Sequence, residues 1–526
     1  MQTRRSLHSF MLLLAAVALV AVTIVAPLSV AAGESDAEAQ AVRRPNVLLI
    51  SIDDLNDWVG YLDGHPQAFT PNIDRLAARG VAFRQAHCQS PVCTASRAAL
   101  VTGLLPSTTG LYFLQPMLDG SDVSRDRITL VEDFAARGYR TFGAGKVYGG
   151  RDPEYFQTYG GAFGSFGPVP KQHLSYTAEG GHPLWDWGPY PVDSPSDDRD
   201  GDQRNNQASG DASEPPSPDD LMPDVNIARW AAGQLATLAD DESAEPFFLA
   251  VGFFRPHVPM YVPPKWFDFY PPETLLLPAT LDNDADDVPE YGRMLTIGHP
   301  APRHEWMTEH EQWDDAVRAY LACSTFVDAQ VGRVIAALDA SPFRDNTIIV
   351  LFSDHGFHLG EKQRWAKRSL WEDSTRVPLI FAGPGTTRGF CDAPVGLVDV
   401  YSTLMELCGF EPPTDQDGHS LVPLLKEPLA DVDRLALTTF GRGNHGVRSR
   451  RWRYIHYADG SEELYDHAVD PHEWHNVAGE SANRGVIAQL RQALPTHEAA
   501  PILTAESAGL TAFLEAEQAL GTGDSK

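Results

Sequence analysis

Several reactive side chains stand where short apolar runs stop. Asp53 and Asp54 follow "NVLLISI", Lys146 follows "TFGAG", His257 comes just after "FFLAVGFF", and Asp354-His355 follow "NTIIVLFS". Carboxylates gathered at one place repel one another, and a hard divalent cation bound through oxygen atoms is the usual solution. One acid after a strand is equally well explained as an Asx turn. Four such groups around one sheet edge are harder to explain that way. A further feature is "SPVCTASRAALVTG", in which Cys93 and Arg97 are four residues apart and so share a helix face. Spacing alone does not separate a chemical role from a small buried thiol beside a surface arginine.

These groups need elements to hold them. The run Asn46–Ile52 reads as a buried parallel strand that delivers two acids to the carboxyl edge of a sheet, where open α/β sheets carry their sites. Thr70-Pro71 opens a helix through "PNIDRLAARG", closed by Gly80, and "VAFRQAHC" is the next strand. "TLVEDFAARGYRTFGAGKV" repeats the pattern, with Gly138 ending the helix, and "VPLIFAG" reads as a further strand. Alternating strands and helices predict an α/β fold with a large, mostly parallel sheet sandwiched by helices. Residues 193–224 are acidic and rich in Pro, Ser and Gly, which predicts a solvated loop. Beyond residue 430 the segment "GVRSRRWRYIHYADGSEELYDHAVDPHEWHN" carries a hairpin signal around Asp459-Gly460. The expected organisation is a catalytic domain over 44–430 and a small antiparallel subdomain over 431–526, with a closing helix from Arg484 to Leu494.

A chain of 526 residues, 43% hydrophobic, supports one large core with an appendage. Its 41 Lys and Arg against 71 Asp and Glu give a net charge of −30, which argues against nucleic acid or an anionic membrane as partner. An anionic substrate must then be drawn in by local cations. The cluster Arg442, Arg448, Arg450, Arg451 and Arg453 reads equally as a charged hairpin edge or as a rim receiving sulfate or carboxylate groups. The five cysteines, Cys88, Cys93, Cys323, Cys391 and Cys408, form neither a disulfide framework nor a CxxC metal pattern. At the N-terminus, Arg4 and Arg5 precede an apolar run and Val30-Ala31-Ala32, so residues 1–32 read as an export signal with a small-residue cleavage site. A periplasmic or secreted protein without stable membrane association after cleavage is expected, and a retained anchor is the alternative.

The stretch "CTASRAALVTGLLPSTTGLY" resembles the signature of the type I sulfatases, C-x-[PA]-x-R followed by a Leu-Thr-Gly segment. "PNVLLISIDDL", "GKV", "GFFRPHVPMYVP", "TIIVLFSDHGFHLGEKQRWAKRSLWEDSTRVPLIF" and "ELYDHAVDPHEWHN" follow the order of such an enzyme over residues 44 to 480. Asp354-His355, Lys367 in "RWAK" and "RPHVP" are most similar to the iduronate-2-sulfatase branch. The resemblance implies an alkaline-phosphatase-like fold and hydrolysis of sulfate esters on a sulfated carbohydrate. It also implies oxidation of Cys93 to formylglycine by a maturase, the hydrated aldehyde offering one hydroxyl to attack sulfur and another to eject sulfate. Carried over, Asp53, Asp54, Asp354 and His355 match the metal ligands, with residue 93 bridging metal and substrate. Arg97 would hold the ionised hydroxyl, Lys146 and Lys367 would bind sulfate oxygens, and His257 would donate to the sulfate or protonate the leaving oxygen. Calcium is the family expectation, and an imidazole ligand leaves magnesium or manganese open.

Two positions depart from the pattern. Ala95 stands where the commoner motif has proline, which leaves the maturation system open. "GKVYGG" puts Tyr148 or Gly149 where the family has a histidine, so the base becomes Tyr148, a water, or a histidine from elsewhere such as His65 or His87. Two competing readings follow: hydrolysis of phosphate or phosphonate esters, and a glycan-binding protein of sulfatase fold without turnover.

Overall fold

The computed structural model describes residues 44–148, 152–164, 166–167, 176, 184–190, 217–241, 243, 245–297, 301–502 and 504. The expected signal lies outside them, as do Gly149 and residues 193–216 of the expected acidic loop. Arg44–Lys526 is one compact unit.

Seventeen strands follow in chain order: β1 Asn46–Ile52, β2 Val81–His87, β3 Arg140–Gly145, β4 Thr158–Tyr159, β5 Trp187–Pro189, β6 Phe247–Phe253, β7 Met260–Val262, β8 Thr347–Ser353, β9 His358–Leu359, β10 Trp365–Ala366, β11 Arg376–Ala382, β12 Gly389–Cys391, β13 Val395–Gly396, β14 Ala436–Thr439, β15 His445–Arg448, β16 Trp452–His456 and β17 Glu462–Asp466. Nine form the main sheet in the order β12-β2-β11-β8-β1-β6-β3-β4, with β13 also on β2. Among the described strands of this sheet only β11 runs against the others, being antiparallel to both β2 and β8. The remaining pairings within it are parallel.

Strand β1, "NVLLISI", is buried throughout because both faces of the sheet are covered. Val47 and Leu49 join one core cluster with Leu100, Phe134 and Leu404. Leu48, Ile50 and Ile52 join the other with Leu76, Leu235 and Val331. The alternation follows the two-residue period of a strand, and each fully buried aliphatic contributes about 1.5–3 kcal/mol. The helix Trp313–Asp339 is long and apolar enough to cross a membrane, yet Val327, Val331, Val334 and Leu338 lie in this second cluster, so it serves as a core helix.

Two local expectations need correction. Gly80 is required by close approach, since a Cβ there would meet the carbonyl oxygen of Phe381 at 2.0 Å, and the helix itself runs only from Pro71 to Ala77. The acidic segment is not loop to its end. Pro218–Leu221 forms a 3-10 turn and Pro223–Ala239 a helix, with Asp224 buried at its start. Asp224 accepts the N–H groups of Phe254 and Arg255 at 2.7 and 3.2 Å and so fixes the chain leaving β6.

The expected C-terminal hairpin is β16 and β17, within a four-stranded antiparallel sheet β14-β15-β16-β17. The closing helix spans Arg484–Leu490 and ends in a 3-10 turn. Ile455, Tyr457 and Tyr465 of this region pack in one cluster with Val92 and Ala95, the neighbours of Cys93.

Candidate active site

The site residues make the last ladder bonds of the sheet. Asp53 N–H donates to Phe253 O (3.1 Å), Asp354 N–H to Ile52 O (3.2 Å), and Lys146 N–H to Gly252 O (3.0 Å). The carboxyl ends of β1, β8, β3 and β6 therefore deliver Asp53-Asp54, Asp354-His355, Lys146 and His257 to one edge. Gly145, at φ 75°, permits the tight exit of β3, because a Cβ there would lie 1.8 Å from Gly252 O. Lys367 arrives differently. It precedes β11, whose reversed direction puts its start, rather than its end, at the site edge.

Cys93 is the first residue of the buried helix Cys93–Thr102. Its Sγ lies 3.1 Å from His355 Nε2 and 3.6 Å from Lys367 Nζ. Lys146 Nζ bonds Asp53 Oδ2 at 2.6 Å, and Lys367 Nζ bonds both oxygens of Asp54 at 2.6 and 2.9 Å. Arg97 is buried and holds Asp354 through Nε at 2.8 Å and Asp53 through Nη2 at 3.5 Å. Its Nη1 donates to Ser51 Oγ and to the carbonyls of Lys146 and Val147 at 2.7, 2.5 and 3.0 Å. The arginine thus binds the acids and the turn after β3 before any hydroxyl on residue 93.

Burial works against the charge on both lysines, but neighbouring carboxylates, Asp53 for Lys146 and Asp54 for Lys367, outweigh it and raise both pKa values. Three buried acids face buried Arg97 and two partly buried lysines. Asp54 adopts a left-handed backbone, φ 63°, held by its N–H on Asp354 Oδ1 (3.2 Å) and by the Tyr320 hydroxyl on its carbonyl (2.7 Å). Ala366 and Arg368, which flank Lys367, are also left-handed, at φ 72° and 74°. Strain of this kind persists only where the surroundings fix it.

His355 Nδ1 lies 3.0 Å from Gly356 O, an acceptor for Nδ1–H, which directs Nε2 toward Asp54 Oδ1 (3.3 Å) and Cys93 Sγ. His257 is tied the same way, with Nδ1 2.5 Å from Val258 O and Nε2 3.8 Å from Asp54 Oδ2. Burial, then the charge of Lys367, pushes the His257 pKa well down and keeps its ring neutral. A donor role toward a leaving oxygen requires His257 to gain a proton when an anionic substrate enters.

Ligand atoms of Asp53, Cys93, Asp354 and His355 lie within 4.8 Å of one another, as do those of Asp53, Asp54, Cys93 and His257. Three carboxylates and an imidazole with Nε2 directed among them suit a divalent cation. Beside Cys93 opens a cleft of about 330 Å³ lined by Lys146, Asp152, Leu114, Gln115 and Phe166.

Other expected groups lie elsewhere. Tyr148 turns away, its hydroxyl on Thr129 Oγ1 (3.0 Å) and its ring stacked on Tyr155 (4.1 Å), and burial raises its pKa, so it does not replace the missing base. His87 faces Thr375 Oγ1 (3.5 Å) and His65 faces Leu276 O (3.1 Å), both outside the cluster at Cys93. The arginine rim is not one surface. Arg448 and Arg453 are buried on Glu372 and Glu473, Arg450 pairs with Asp431, and Arg451 pairs with Asp466, while Arg442 is exposed. Sequence reasoning missed Asp152, whose Oδ1 accepts the N–H groups of Val147 and Tyr148 at 2.8 and 2.6 Å and so pins the turn carrying Lys146. No local signal marks it.

The sulfatase family profile matches residues 45–410, and that of the N-sulphoglucosamine sulphohydrolase C-terminal region matches 360–500. The chain belongs to the sulfatase family. It is a sulfuric ester hydrolase by that membership. A sulfatase of Formosa agariphila is 39% identical over 86% of this chain and 87% of its own length. The choline-sulfatase of Rhizobium meliloti is 29% identical over 83% and 82%, and human iduronate 2-sulfatase 29% over 65% and 61%. A solved 2-O GAG sulfatase superposes with a TM-score of 0.62 at 24% identity, covering 85% of this sulfatase and 90% of the other chain. The fold is thus the alkaline-phosphatase-like fold of sulfatases, with the small antiparallel sheet at its C-terminal end.

Proposed function

We propose that the protein is an exported, metal-dependent sulfatase that cleaves a sulfate ester on a sulfated carbohydrate through a formylglycine made from Cys93. One observation carries the reading: Cys93 opens a buried helix with its Sγ between His355 and Lys367, inside a ring of three carboxylates. Burial raises the pKa of the thiol despite Lys146 and Lys367, and a protonated thiol is a poor nucleophile. The position gains its chemistry on oxidation to the aldehyde, whose hydrate supplies a hydroxyl to attack sulfur and a second to expel sulfate.

The chain's own residues do the rest. Lys146 and Lys367 would neutralise charge spreading over the sulfate oxygens. Arg97 holds Asp53 and Asp354 in register with residue 93, and His257 presents Nε2 toward the same space. Asp53, Asp54, Asp354 and His355 would hold the divalent cation, which polarises oxygen and favours its ionised form. A sulfated carbohydrate is supported by the names of two similar proteins, the human iduronate 2-sulfatase and the 2-O GAG sulfatase. Export is supported by the signal-like residues 1–32.

Mass spectrometry of the peptide containing residue 93, from a host with a maturation system, tests the reading together with initial rates on matched aryl sulfate and aryl phosphate. Formylglycine with sulfate preferred is expected. An unmodified thiol in active enzyme, or preferred phosphate, would overturn it.

A further inference from the structure

One aromatic ring touches two of the groups gathered around residue 93. Phe166 is half-buried and lines the cleft beside Cys93 together with Lys146. Its ring centroid lies 4.6 Å from that of His257, the two planes 35° apart, and Lys146 Nζ stands over the same ring at 5.4 Å. Lys146 and His257 come from different strand ends, after β3 and after β6, so the ring is a contact common to both. Phe166 is itself held. Its ring packs edge-on against Phe254 at 5.3 Å and 74°, and its carbonyl accepts Arg255 Nη2–H at 2.9 Å. Arg255 is fully buried, donates Nε–H to Tyr261 O at 3.0 Å and has its own N–H on Asp224 at 3.2 Å. Because Arg255 stands two residues before His257, one guanidinium ties the loop carrying Phe166 to the turn carrying the imidazole.

We propose that Phe166 is a positioning residue for sulfate-ester cleavage, holding the His257 imidazole and the Lys146 ammonium in one arrangement toward the cleft at residue 93. The inference rests on the sulfatase reading, in which His257 serves the leaving oxygen and Lys146 the sulfate oxygens. The bond from His257 Nδ1 to Val258 O at 2.5 Å fixes one edge of the imidazole, and the Phe166 ring fixes its plane. Lys146 Nζ is held by Asp53 Oδ2 at 2.6 Å and by the electron-rich face of the ring. An aliphatic side chain at 166 would fill the space but offer neither a stacking plane nor a π face. The role therefore requires an aromatic residue there, and its loss must appear in the steps that His257 and Lys146 serve.

The test compares wild type with Phe166→Leu and Phe166→Tyr on two esters. Phenyl sulfate releases a phenol of pKa about 10, and 4-nitrophenyl sulfate releases a more acidic one that needs less help from a proton donor. Phe166→Leu is expected to lower kcat about tenfold more on phenyl sulfate than on 4-nitrophenyl sulfate, part of the about 10²- to 10⁴-fold that a placed proton donor supplies. Phe166→Tyr should keep the wild-type ratio. In a His257→Ala background Phe166→Leu should no longer move the ratio, because the group being placed is gone. Calorimetry with inorganic sulfate in the Cys93→Ala protein, which needs no turnover, reads Lys146: Phe166→Leu should weaken binding about 3- to 30-fold and Phe166→Tyr should not. Phe166→Met, a flexible filler of the same space, repeats each comparison if leucine unfolds the protein. A rate ratio that does not move, a sulfate affinity that does not fall, or a tyrosine variant no better than leucine would overturn the assignment. A wild type that hydrolyses neither ester would count against the sulfatase reading, and the sulfate titration would then decide for or against Phe166 by itself.

Discussion

A cysteine at the first turn of a helix is ordinarily activated, because the helix's positive end favours the thiolate. Cys93 is instead held as a thiol, by burial first and by Asp53 and Asp354 after it, against the pull of two lysines. On the proposed formylglycine reading, serine would give residue 93 one hydroxyl where the hydrated aldehyde has two, and the second is the one that would expel sulfate. Cys93→Ser is expected to fold with an unchanged melting temperature and to lose multiple turnover, giving at most one equivalent of product alcohol by rapid quench; wild-type steady-state rates would refute it. Asp152 acts at a distance by pinning the Lys146 turn. Asp152→Asn retains an acceptor for the two N–H groups and should keep kcat within about threefold, whereas Asp152→Ala leaves two buried donors unpaired at about 1–3 kcal/mol each. Equal kcat losses in the two variants would show that the carboxylate charge, and not the pinning, matters.

The segment from Lys367 to Thr375 is clamped by the C-terminal sheet. Arg448 and Arg453 sit directly opposite one another on β15 and β16, a repulsive arrangement in itself. Glu372 lies between them and bonds both. Arg453 also reaches Leu370 O (3.1 Å), Thr375 Oγ1 (3.0 Å) and Glu473 (2.7 Å). Burial alone would raise the Glu372 pKa, but Arg448 and Arg453 hold it well below 4.5. A carboxylate depressed in the folded state adds stability above its unfolded pKa and loses it as pH falls through the folded value. Urea midpoints should therefore drop as pH falls below 4.5, and the drop should be smaller in Glu372→Gln; parallel pH curves would remove the network from the account. Arg453→Met leaves two buried acids short of a partner, which costs about 3–5 kcal/mol. The loss should appear in both melting temperature and activity, because the same clamp positions Lys367.

Arg44–Lys526 behaves as one unit because the small sheet shares a core cluster with the neighbours of Cys93. On the proposed metal-dependent reading, three buried carboxylates would make that unit sensitive to metal. Chelation should lower the melting temperature and abolish sulfate-ester hydrolysis, and calcium, magnesium or manganese added back should restore both, in the order of their fit. A cation present at 100 times its Kd adds about 2.7 kcal/mol. Activity and melting temperature indifferent to exhaustive chelation would show that Lys146 and Lys367 alone balance the acids.

Strand ends followed by acids, the Cys93–Arg97 spacing and the order of the motifs were enough to place the α/β fold and to bring Asp53, Asp54, Cys93, Asp354 and His355 to one sheet edge, because apolar period and strand-end position are local properties of the chain. Tertiary structure decided what depends on partners far apart in sequence. It buried Arg448 and Arg453, which a linear view displays as one basic patch, because Glu372 and Glu473 come from other segments. It turned Tyr148 onto Thr129 and away from residue 93, and brought in Asp152 behind Lys146. Lys367 itself reaches Asp54 because β11 runs backward through the sheet, and strand direction is set by which strands pair, which no stretch of the sequence encodes alone.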